Sequence, residues 1–335
     1  MPGDKSIKVL AGDIGGTRAR IAIIEDGRVL FKKHYASRDY PGPVEVLEEF
    51  QKDYGRLLPK EASIAVAGVV ENHQFVKATN ITWTVSTHEL KQAFGFNKVH
   101  LLNDFEAVAW GILTLEDAEL VKLGKGKPDP YGPKTVLGAG TGLGQAFVIR
   151  CNGGFKVIPT EGGHTDFAPR TSEQIRLLSF LMEKMEHVSV EQVLSGPGLV
   201  NIYRFVLMDE NNQDDPLKGV PETELPASIT ALSRKDEHSP CARALRIFVQ
   251  IYGQEAGNMA LKSLAVGGVY VAGGIAPKII DELRRFGFRQ AFEAKGRMKK
   301  VLSQIPTYII TDPDLGLKGA WKFSLQMALE YKRFS

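Results

Sequence analysis

Two stretches of the chain follow the same plan and limit what it can fold into. AGDIGGTRARIAII begins at residue 11 and LGAGTGLGQAFVI at residue 137, and in each a β-rich run ends in clustered glycines and turns into a second strand. A length of 335 residues suits about two domains of ~150 residues each. Because the plan occurs twice, we predict two related α/β half-domains that face each other.

The glycine clusters are candidates for binding phosphate. Glycine lets the backbone adopt φ > 0 and approach a ligand closely, so that successive N–H groups can point at one anion. Asp13 adds a carboxylate able to hold a magnesium ion through its waters, and at a third glycine pair, after the strand VYVA, the backbone could pass close to a planar base. A plain tight turn is the alternative for each loop taken alone. The candidate nucleotide-binding residues are Gly12, Asp13, Ile14, Gly15, Gly16 and Thr17 in the first loop, Gly140 and Thr141 in the second, and Gly273 and Gly274 in the third.

Composition and missing motifs exclude several classes of protein. The sequence has no GxxxxGK[ST] motif and no GxGxxG spacing in these loops, which argues against a P-loop enzyme and against the usual dinucleotide site. A net charge of +3 without a basic, aromatic stripe gives no indication of nucleic acid as a partner. The two cysteines lie far apart, and no apolar run is long enough for a membrane helix or a signal peptide. We therefore expect a cytoplasmic protein that binds no membrane.

The stretch LLNDFEAVAWGI places two polar residues between a strand and a helix. Either Asn103 or Asp104 can cap the helix, since both residue types favour that position. A helix has one N-cap, however, so the second polar residue is left to face the crevice at the carboxyl end of the strand, where ligands bind in α/β sheets. The positive end of the helix dipole also favours an ionised Asp104.

Periodicity and turn residues give a coarse map of the remaining elements. Three β-rich runs fill residues 8–36, and Asp26-Gly27 predicts a type I′ hairpin between the last two. The segment 125–134 resembles a linker because it is rich in Pro, Gly and Lys, and 209–226 is polar and loop-like. Helices are predicted over 44–54, from 104, over 172–208, over 240–265, from 277 and from 317, and strands near 63–67, 74–79, 99–102, 267–274 and 307–311.

Six blocks of the sequence together resemble one family. GDIGGT, LLNDFEAVA, GAGTGLG, EGGHTDFAP, VLSGPGLVNIYR and GGVYVAGGI occur in the order seen in bacterial-type glucokinases, over residues 8–325. The resemblance implies two ribonuclease-H-like (actin-like ATPase) α/β domains, with mixed five-stranded sheets flanked by helices and an interdomain cleft. It places a small domain at 1–114 plus 313–335 and a large domain at 115–312. ROK sugar kinases carry a cysteine-rich zinc motif that this chain lacks, which disfavours that subgroup.

The resemblance also implies an activity and a set of site residues. The family transfers the γ-phosphoryl group of ATP to the 6-hydroxyl of glucose, with Mg²⁺, and is commonly homodimeric. By resemblance Asp104 is the catalytic base. The sugar ligands implied in the same way are Asn103, Asp104, Glu161, His164 and Glu191, with backbone help from Gly142. No protein residue is predicted to bind the metal directly, and Asp13 would reach it through water.

Several alternatives remain open at this stage. Glu191 lies in SVEQ, itself a capping-box pattern, and His164 considered alone is an ordinary polar histidine. Arg18 stands where the family usually has Asn, and we assign it no role. A nucleotide-gated binding module would share both glycine hairpins without needing Asn103 and Asp104. Within the kinases, another hexose or a carboxylic acid is an alternative substrate.

Overall fold

The computed structural model describes residues 7–78, 81–210 and 215–334. Its internal contacts divide the chain into two units. The first unit consists of Met1–Glu119, Cys151–Pro159 and Asp312–Ser335, and the second of Leu120–Arg150 and Thr160–Thr311. The domain boundaries inferred from the sequence stay a prediction, and the units differ from them by grouping 115–119 and 151–159 with the first unit.

The elements are numbered in chain order. The strands are β1 Lys8–Ile14, β2 Arg18–Glu25, β3 Arg28–Ala36, β4 Glu61–Val66, β5 Gly68–Glu71, β6 Phe75–Ala78, β7 Thr84–Ser86, β8 Lys98–Asn103, β9 Leu120–Lys122, β10 Lys134–Ala139, β11 Leu143–Cys151, β12 Gly154–Thr160, β13 Gly268–Ala272 and β14 Thr307–Ile310. The α-helices are α1 Pro43–Tyr54, α2 Thr87–Phe94, α3 Asp104–Gly111, α4 Ser172–Met182, α5 Gly196–Asp209, α6 Leu225–Ser233, α7 Pro240–Ser263, α8 Ile280–Arg285, α9 Phe288–Glu293, α10 Lys299–Gln304 and α11 Leu315–Phe334.

The first unit is built on a mixed five-stranded sheet in the order β3-β2-β1-β4-β8. Side chains alternate between its two faces, as the pleat of a strand requires. Leu10 and Ile14 of β1 pack with Phe50 of α1 on one face, whereas Val9 and Ala11 pack with residues of α11 on the other. The small sheet β5-β6-β7 completes this unit.

Helices α3 and α11 lie side by side in the first unit because glycine allows it. A Cβ atom added at Gly319 would come within 1.7 Å of the Ala107 carbonyl oxygen, and one at Gly111 within 2.4 Å of the Leu315 carbonyl oxygen. The two backbones are therefore in direct contact at these points, and α3 is held at a fixed place on the sheet.

A second sheet has the order β12-β11-β10-β13-β14-β9. Its strands β9, β10, β11, β13 and β14 lie in the second unit with the helices α4 to α10, whereas most of β12 falls in the segment Cys151–Pro159 of the first unit. The hydrophobic core of the second unit includes Leu137 of β10, Val271 of β13 and the fully buried Tyr252 of α7. The Tyr252 hydroxyl accepts a hydrogen bond from the Ala139 N–H at 3.1 Å, which ties the long helix to the end of β10.

The structure confirms much of the sequence map and corrects parts of it. Asp26 and Gly27 form the predicted hairpin, with φ of 49° and 79°, as a type I′ turn requires. The first sheet has the predicted five strands, but the second has six, because the three-residue β9 pairs antiparallel with β14. Such a short strand carries no pattern that sequence analysis can detect.

Two further segments differ from their predicted form. The helical region 172–208 is interrupted between α4 and α5, where a short 3-10 turn at Val190–Gln192 stands instead. The segment 125–134 packs within the second unit, since a Cβ at Gly126 would meet the Gln304 carbonyl oxygen at 2.1 Å. Residues 211–214 of the predicted loop and Thr79 of the predicted strand lie outside the described residues. In the described ranges, no helix combines the length and apolar character needed to cross a membrane.

Candidate active site

Three parallel strands of the first sheet end at the same edge. Ile14 of β1 is the partner of Val66 of β4, and Val66 is the partner of Asn103 of β8. The first glycine loop and the Asn103–Asp104 pair therefore lie at one edge of the sheet, with β4 between them. This is the edge at which α/β sheets bind ligands.

The first glycine loop is closed by its own backbone and by one serine. The Gly15 N–H donates to the Arg18 carbonyl at 3.0 Å, and the Ser37 hydroxyl donates to the Gly15 carbonyl at 2.8 Å. Thr17 is exposed at the turn. Gly12 and Ile14 are buried within β1 and pair with both neighbouring strands. This placement favours a structural role for those two, so the part of the loop open to a ligand is Gly15–Thr17.

Asp13 is held by an arginine from the neighbouring strand. Arg20 is its direct partner across the β1–β2 pair, and the Arg20 Nη1 atom lies 3.1 Å from Asp13 Oδ2. Asp13 also lies near the start of α11, where a Cβ at Gly316 would be 3.2 Å from Asp13 Oδ2. Burial raises the pKa of Asp13, the neighbouring Asp314 adds to the rise, and Arg20 opposes it.

The acidic groups at this edge suit a metal that keeps most of its waters. Across the described ranges, no three His, Cys, Asp or Glu side chains gather as a metal cluster. Mg²⁺ is usually held by one or two carboxylates together with water and substrate phosphates. Asp13, a single carboxylate beside a glycine loop and only 21% exposed, fits that mode of binding.

Asn103 and Asp104 lie side by side at the start of α3. Asn103 is the N-cap of α3, with its Oδ1 atom accepting from the N–H groups of Phe105 and Glu106 at 2.9 and 3.2 Å. Its amide nitrogen donates to the Gly68 carbonyl at 3.0 Å. The Asp104 Oδ1 atom accepts from the Phe105 N–H at 2.9 Å, in the first turn of the helix. The Asp104 carboxyl group is therefore oriented by the first turn of α3 at the strand edge.

In the second unit, two glycine loops close adjacent parallel strands. β10 and β13 pair in parallel, with Gly138 opposite Ala272, so both loops follow the same edge. Gly273 has a φ of +83°, and a Cβ there would lie 2.5 Å from the Ala139 carbonyl oxygen. Only glycine meets both conditions. Gly140 and Thr141 lie on one loop of this edge and Gly273 and Gly274 on the other.

Glu191 lies against the second glycine loop. Its Oε2 atom accepts from the Leu143 N–H at 2.8 Å, and a Cβ added at Gly142 would be 2.6 Å from the same oxygen. The Ser195 hydroxyl donates to the Glu191 carbonyl at 2.8 Å and caps α5 through the Gly198 N–H. The SVEQ pattern forms no side-chain cap, and Glu191 instead lies in the 3-10 turn Val190–Gln192, with its carboxyl group against the loop.

Glu161 and His164 project from a short 3-10 turn, Gly162–His164, that packs against the turn bearing Glu191. The Val190 N–H donates to the Thr165 carbonyl at 2.9 Å, which joins the two turns. The side chains of Glu161 and His164 are 73% and 63% exposed, with His164 Nε2 3.9 Å from Glu161 Oε2. In the second unit, the turn bearing Glu161 and His164 therefore lies against the turn bearing Glu191, which contacts Gly142.

Sequence analysis missed two residues of the first unit that shape the site. The sequence assigned no role to Arg18 and did not single out Arg20. In the structure Arg20 is the partner of Asp13, and Arg18 is exposed. The signal was available, because the predicted β1–β2 hairpin places Arg20 opposite Asp13. Ser37 carries no such signal, since its bond to Gly15 depends on the path of the chain after β3.

Comparisons with known proteins agree on one family. The model of the glucokinase family matches residues 10–327. A glucokinase of Nostoc punctiforme is 38% identical over 334 aligned residues, covering 93% of this chain and 97% of the relative. The solved glucokinase of an Antarctic psychrotroph superposes with a TM-score of 0.84 at 30% identity, covering 94% of this chain and 98% of the other. A ROK family glucokinase from Streptomyces griseus, solved in complex with glucose and AMPPNP, has a TM-score of 0.65 at 20% identity, covering 94% and 98%.

The fold is that of an α/β sugar kinase with mixed sheets, which the Streptomyces griseus structure shares. The chain belongs to the glucokinase family. Its activity is accordingly the ATP-dependent phosphorylation of glucose.

Proposed function

We propose that Asp104 is the general base of glucose phosphorylation and that it aims the 6-hydroxyl at the γ-phosphoryl group of ATP. One observation carries this assignment. Asp104 follows the N-cap Asn103 and places a partly exposed carboxyl group at the strand edge shared with the first glycine loop. Its Oδ1 atom accepts from the Phe105 N–H, which Asn103 already caps, so helix capping alone does not explain an aspartate at this position.

Orientation, more than basicity, gives Asp104 its effect. Phosphoryl transfer has a loose transition state, so an enzyme mainly positions the reacting groups and stabilises charge. An aspartate with an ordinary pKa near ~4 is a weak base for an alcohol. The bond from the Phe105 N–H fixes the Asp104 carboxylate, which would accept the hydroxyl proton as the new bond to phosphorus forms.

The proposed sugar ligands are the residues that the family resemblance implies. Glu161, His164 and Glu191 of the second unit would bind ring hydroxyls, with the Gly142 backbone beside Glu191. Asn103 would add its amide. Fixed donors and acceptors can reject a sugar that lacks the matching hydroxyl by ~10⁴-fold.

The proposed nucleotide site uses the glycine loops. Gly15, Gly16 and Thr17 of the first unit and Gly140 and Thr141 of the second would donate to phosphate oxygens. Gly273 and Gly274 are exposed beside the second loop and would border the base. Asp13 would hold Mg²⁺ through water, and the ion would supply positive charge to the β- and γ-phosphates. The complex of the Streptomyces griseus protein with glucose and AMPPNP supports this pair of ligands.

The substrate is tested by measuring ADP release across a panel of hexoses and small carboxylic acids. We expect glucose-dependent ADP release that requires Mg²⁺, and glucose 6-phosphate as the product. Glu191→Gln tests the proposed sugar ligand Glu191. Glu186→Gln is its matched control, because Glu186 is an exposed acid of the preceding loop. Nucleotide binding without any sugar-dependent ADP release would contradict the proposal and favour a binding module.

Three broader statements stay predictions. The domain boundaries at 1–114 plus 313–335 and 115–312 are tested by limited proteolysis, which should cut between them. The homodimer is tested by light scattering in solution, and the cytoplasmic location by cell fractionation.

A further inference from the structure

The second unit buries a chain of hydrogen-bonded polar side chains in its interior. Gln145 on β11 and Glu255 on α7 are only 3% and 5% exposed. The Gln145 Nε2 atom donates to Glu255 Oε1 at 3.0 Å, and Asn258 Nδ2 donates to Glu255 Oε2 at 2.9 Å. Both oxygens of the Glu255 carboxyl group are therefore satisfied by amide donors in the interior.

One end of this chain is a lysine. Lys295 Nζ donates to the Gln254 carbonyl at 3.0 Å and also to Asn258 Oδ1. Burial lowers the pKa of Lys295 to about 8, with Arg170 adding to the fall and Glu255 opposing it. The backbones are close here, since a Cβ at Gly257 would lie 2.6 Å from the Phe292 carbonyl oxygen. The network is thus anchored between α7 and the segment that follows α9.

The other end lies beneath the loop that carries Glu161 and His164. The Thr160 hydroxyl donates to the Gln145 carbonyl at 3.0 Å and accepts from the Gly162 N–H at 3.2 Å. A Cβ added at Gly162 would be 2.2 Å from Gln145 Oε1. The backbone of the loop therefore rests directly on the Gln145 side chain.

We propose that Glu255 is a positioning residue for sugar binding, which it supports through Gln145 and the loop 161–164. The Glu255 Oε1 atom accepts from Gln145 Nε2, which fixes the Gln145 amide with its nitrogen toward Glu255 and its oxygen under Gly162. This inference rests on the proposed role of Glu161 and His164 in binding glucose.

The alternative, that the network only packs the core, is disfavoured by its chemistry. A buried carboxylate is costly to remove from water, and apolar residues of similar volume would serve packing as well or better. A buried polar network specifies one arrangement when all its members are satisfied. Here the network fixes the position and orientation of the Gly162 backbone, two residues before His164.

Glu255→Gln is the direct test, because it keeps the side-chain shape and removes the acceptor-only group. With an amide at both positions 145 and 255, the Gln145 amide can rotate by about 180°. The loop then loses the fixed contact between Gly162 and the Gln145 side chain. We expect KM for glucose to rise between ~10- and ~100-fold, the size of effect that a misplacement of about 1 Å produces. The KM for ATP should stay near the wild-type value. The control variant Glu186→Gln should keep wild-type KM values for both glucose and ATP.

Two further variants separate positioning from folding. Thr160→Val removes the hydroxyl that joins the loop to β11 and leaves Glu255 in place, so it should raise KM for glucose in the same way. The double variant Gln145→Glu/Glu255→Gln restores one amide-to-carboxylate bond and should recover part of the loss. A fall in melting temperature with unchanged glucose KM in both Glu255→Gln and Thr160→Val would overturn the proposal.

The same experiment distinguishes this inference from the function on which it rests. Glu161→Ala and His164→Ala should each raise KM for glucose. If neither does, the proposed sugar-binding role of the loop fails, and the positioning role fails with it. If both do while Glu255→Gln and Thr160→Val do not, only the positioning role is overturned.

Discussion

Arg20 Nη1 lies 3.1 Å from Asp13 Oδ2, and the two residues are direct partners in the antiparallel pair β1–β2. The pair stands on the face of the sheet covered by α11, beside Asp314, whose carboxylate Oδ2 atom is itself 2.6 Å from Lys32 Nζ. The two neighbouring acids, Asp13 and Asp314, are therefore each paired with a base, Arg20 and Lys32. In the proposed nucleotide site, this pairing would keep the partly buried Asp13 carboxyl group available for a metal-bound nucleotide.

Replacing Arg20 with Gln should weaken the use of MgATP. Arg20 opposes the rise that burial imposes on the pKa of Asp13, so its loss raises that pKa further. Because the activity needs ionised Asp13, its fall on acidification should then begin at a higher pH than in the wild type. We expect KM for MgATP to rise about tenfold with KM for glucose unchanged, measured across pH 5.5–8.

Arg28→Gln is the matched control for this variant. Arg28 is an exposed arginine at the start of β3 on the neighbouring hairpin. If activity in Arg20→Gln falls on acidification at the same pH as in the wild type, the role given to the Asp13–Arg20 pair is contradicted.

Gly142 and Glu191 should act as one unit in binding sugar. A methyl group at position 142 would lie 2.6 Å from Glu191 Oε2, so Gly142→Ala must displace the carboxylate from the Leu143 N–H. Glu191→Gln weakens the same bond from the other side. Each change should raise KM for glucose, and a double-mutant cycle should give a coupling of about 1 kcal/mol or more. Strictly additive effects would show that the contact does not matter for binding.

Local chemistry explains which parts of the fold the sequence predicts. The Asp26-Gly27 turn, the Asn103 cap and the glycine loops depend on residues close together in the chain, and each takes its predicted form. A second hairpin of the same kind, at Asn152-Gly153 with φ of 49° and 75°, carried the same signal and was overlooked.

Contacts between distant segments are the part that the sequence does not predict. Gln145 meets Glu255 across more than a hundred residues, and Asp13, near the N-terminus, meets the start of the last helix, α11. The three-residue β9 exists because β14 offers an edge to pair with. In each case tertiary packing selects the partner, and no local pattern identifies it.

His100 should make stability depend on pH below neutrality. Burial, reinforced by the nearby His73, Lys98 and Lys91, lowers the pKa of His100 from 6.5 to about 4. The unfolded chain therefore binds more protons between these values. The contribution of His100 to stability is complete above pH 6.5 and is lost as the pH falls toward 4.

Urea unfolding at pH 7.5 and pH 5 tests this dependence. His100→Phe, which keeps a ring beside Phe323, should lose less stability than wild type on going to pH 5. His238→Phe alters an exposed histidine and should behave as wild type. An equal loss in His100→Phe and wild type would show that other groups cause the acid sensitivity.

Single-turnover phosphorylation by Asp104→Asn tests the central claim most directly. The variant keeps the size of the side chain and an acceptor for the Phe105 N–H but removes the base. Asp281→Asn, an exposed aspartate in the first turn of α8, is the matched control. We predict a fall in the rate of the chemical step of ~10²- to ~10⁴-fold, with glucose and ATP binding close to wild type. A chemical step at near-normal rate in Asp104→Asn would contradict the account.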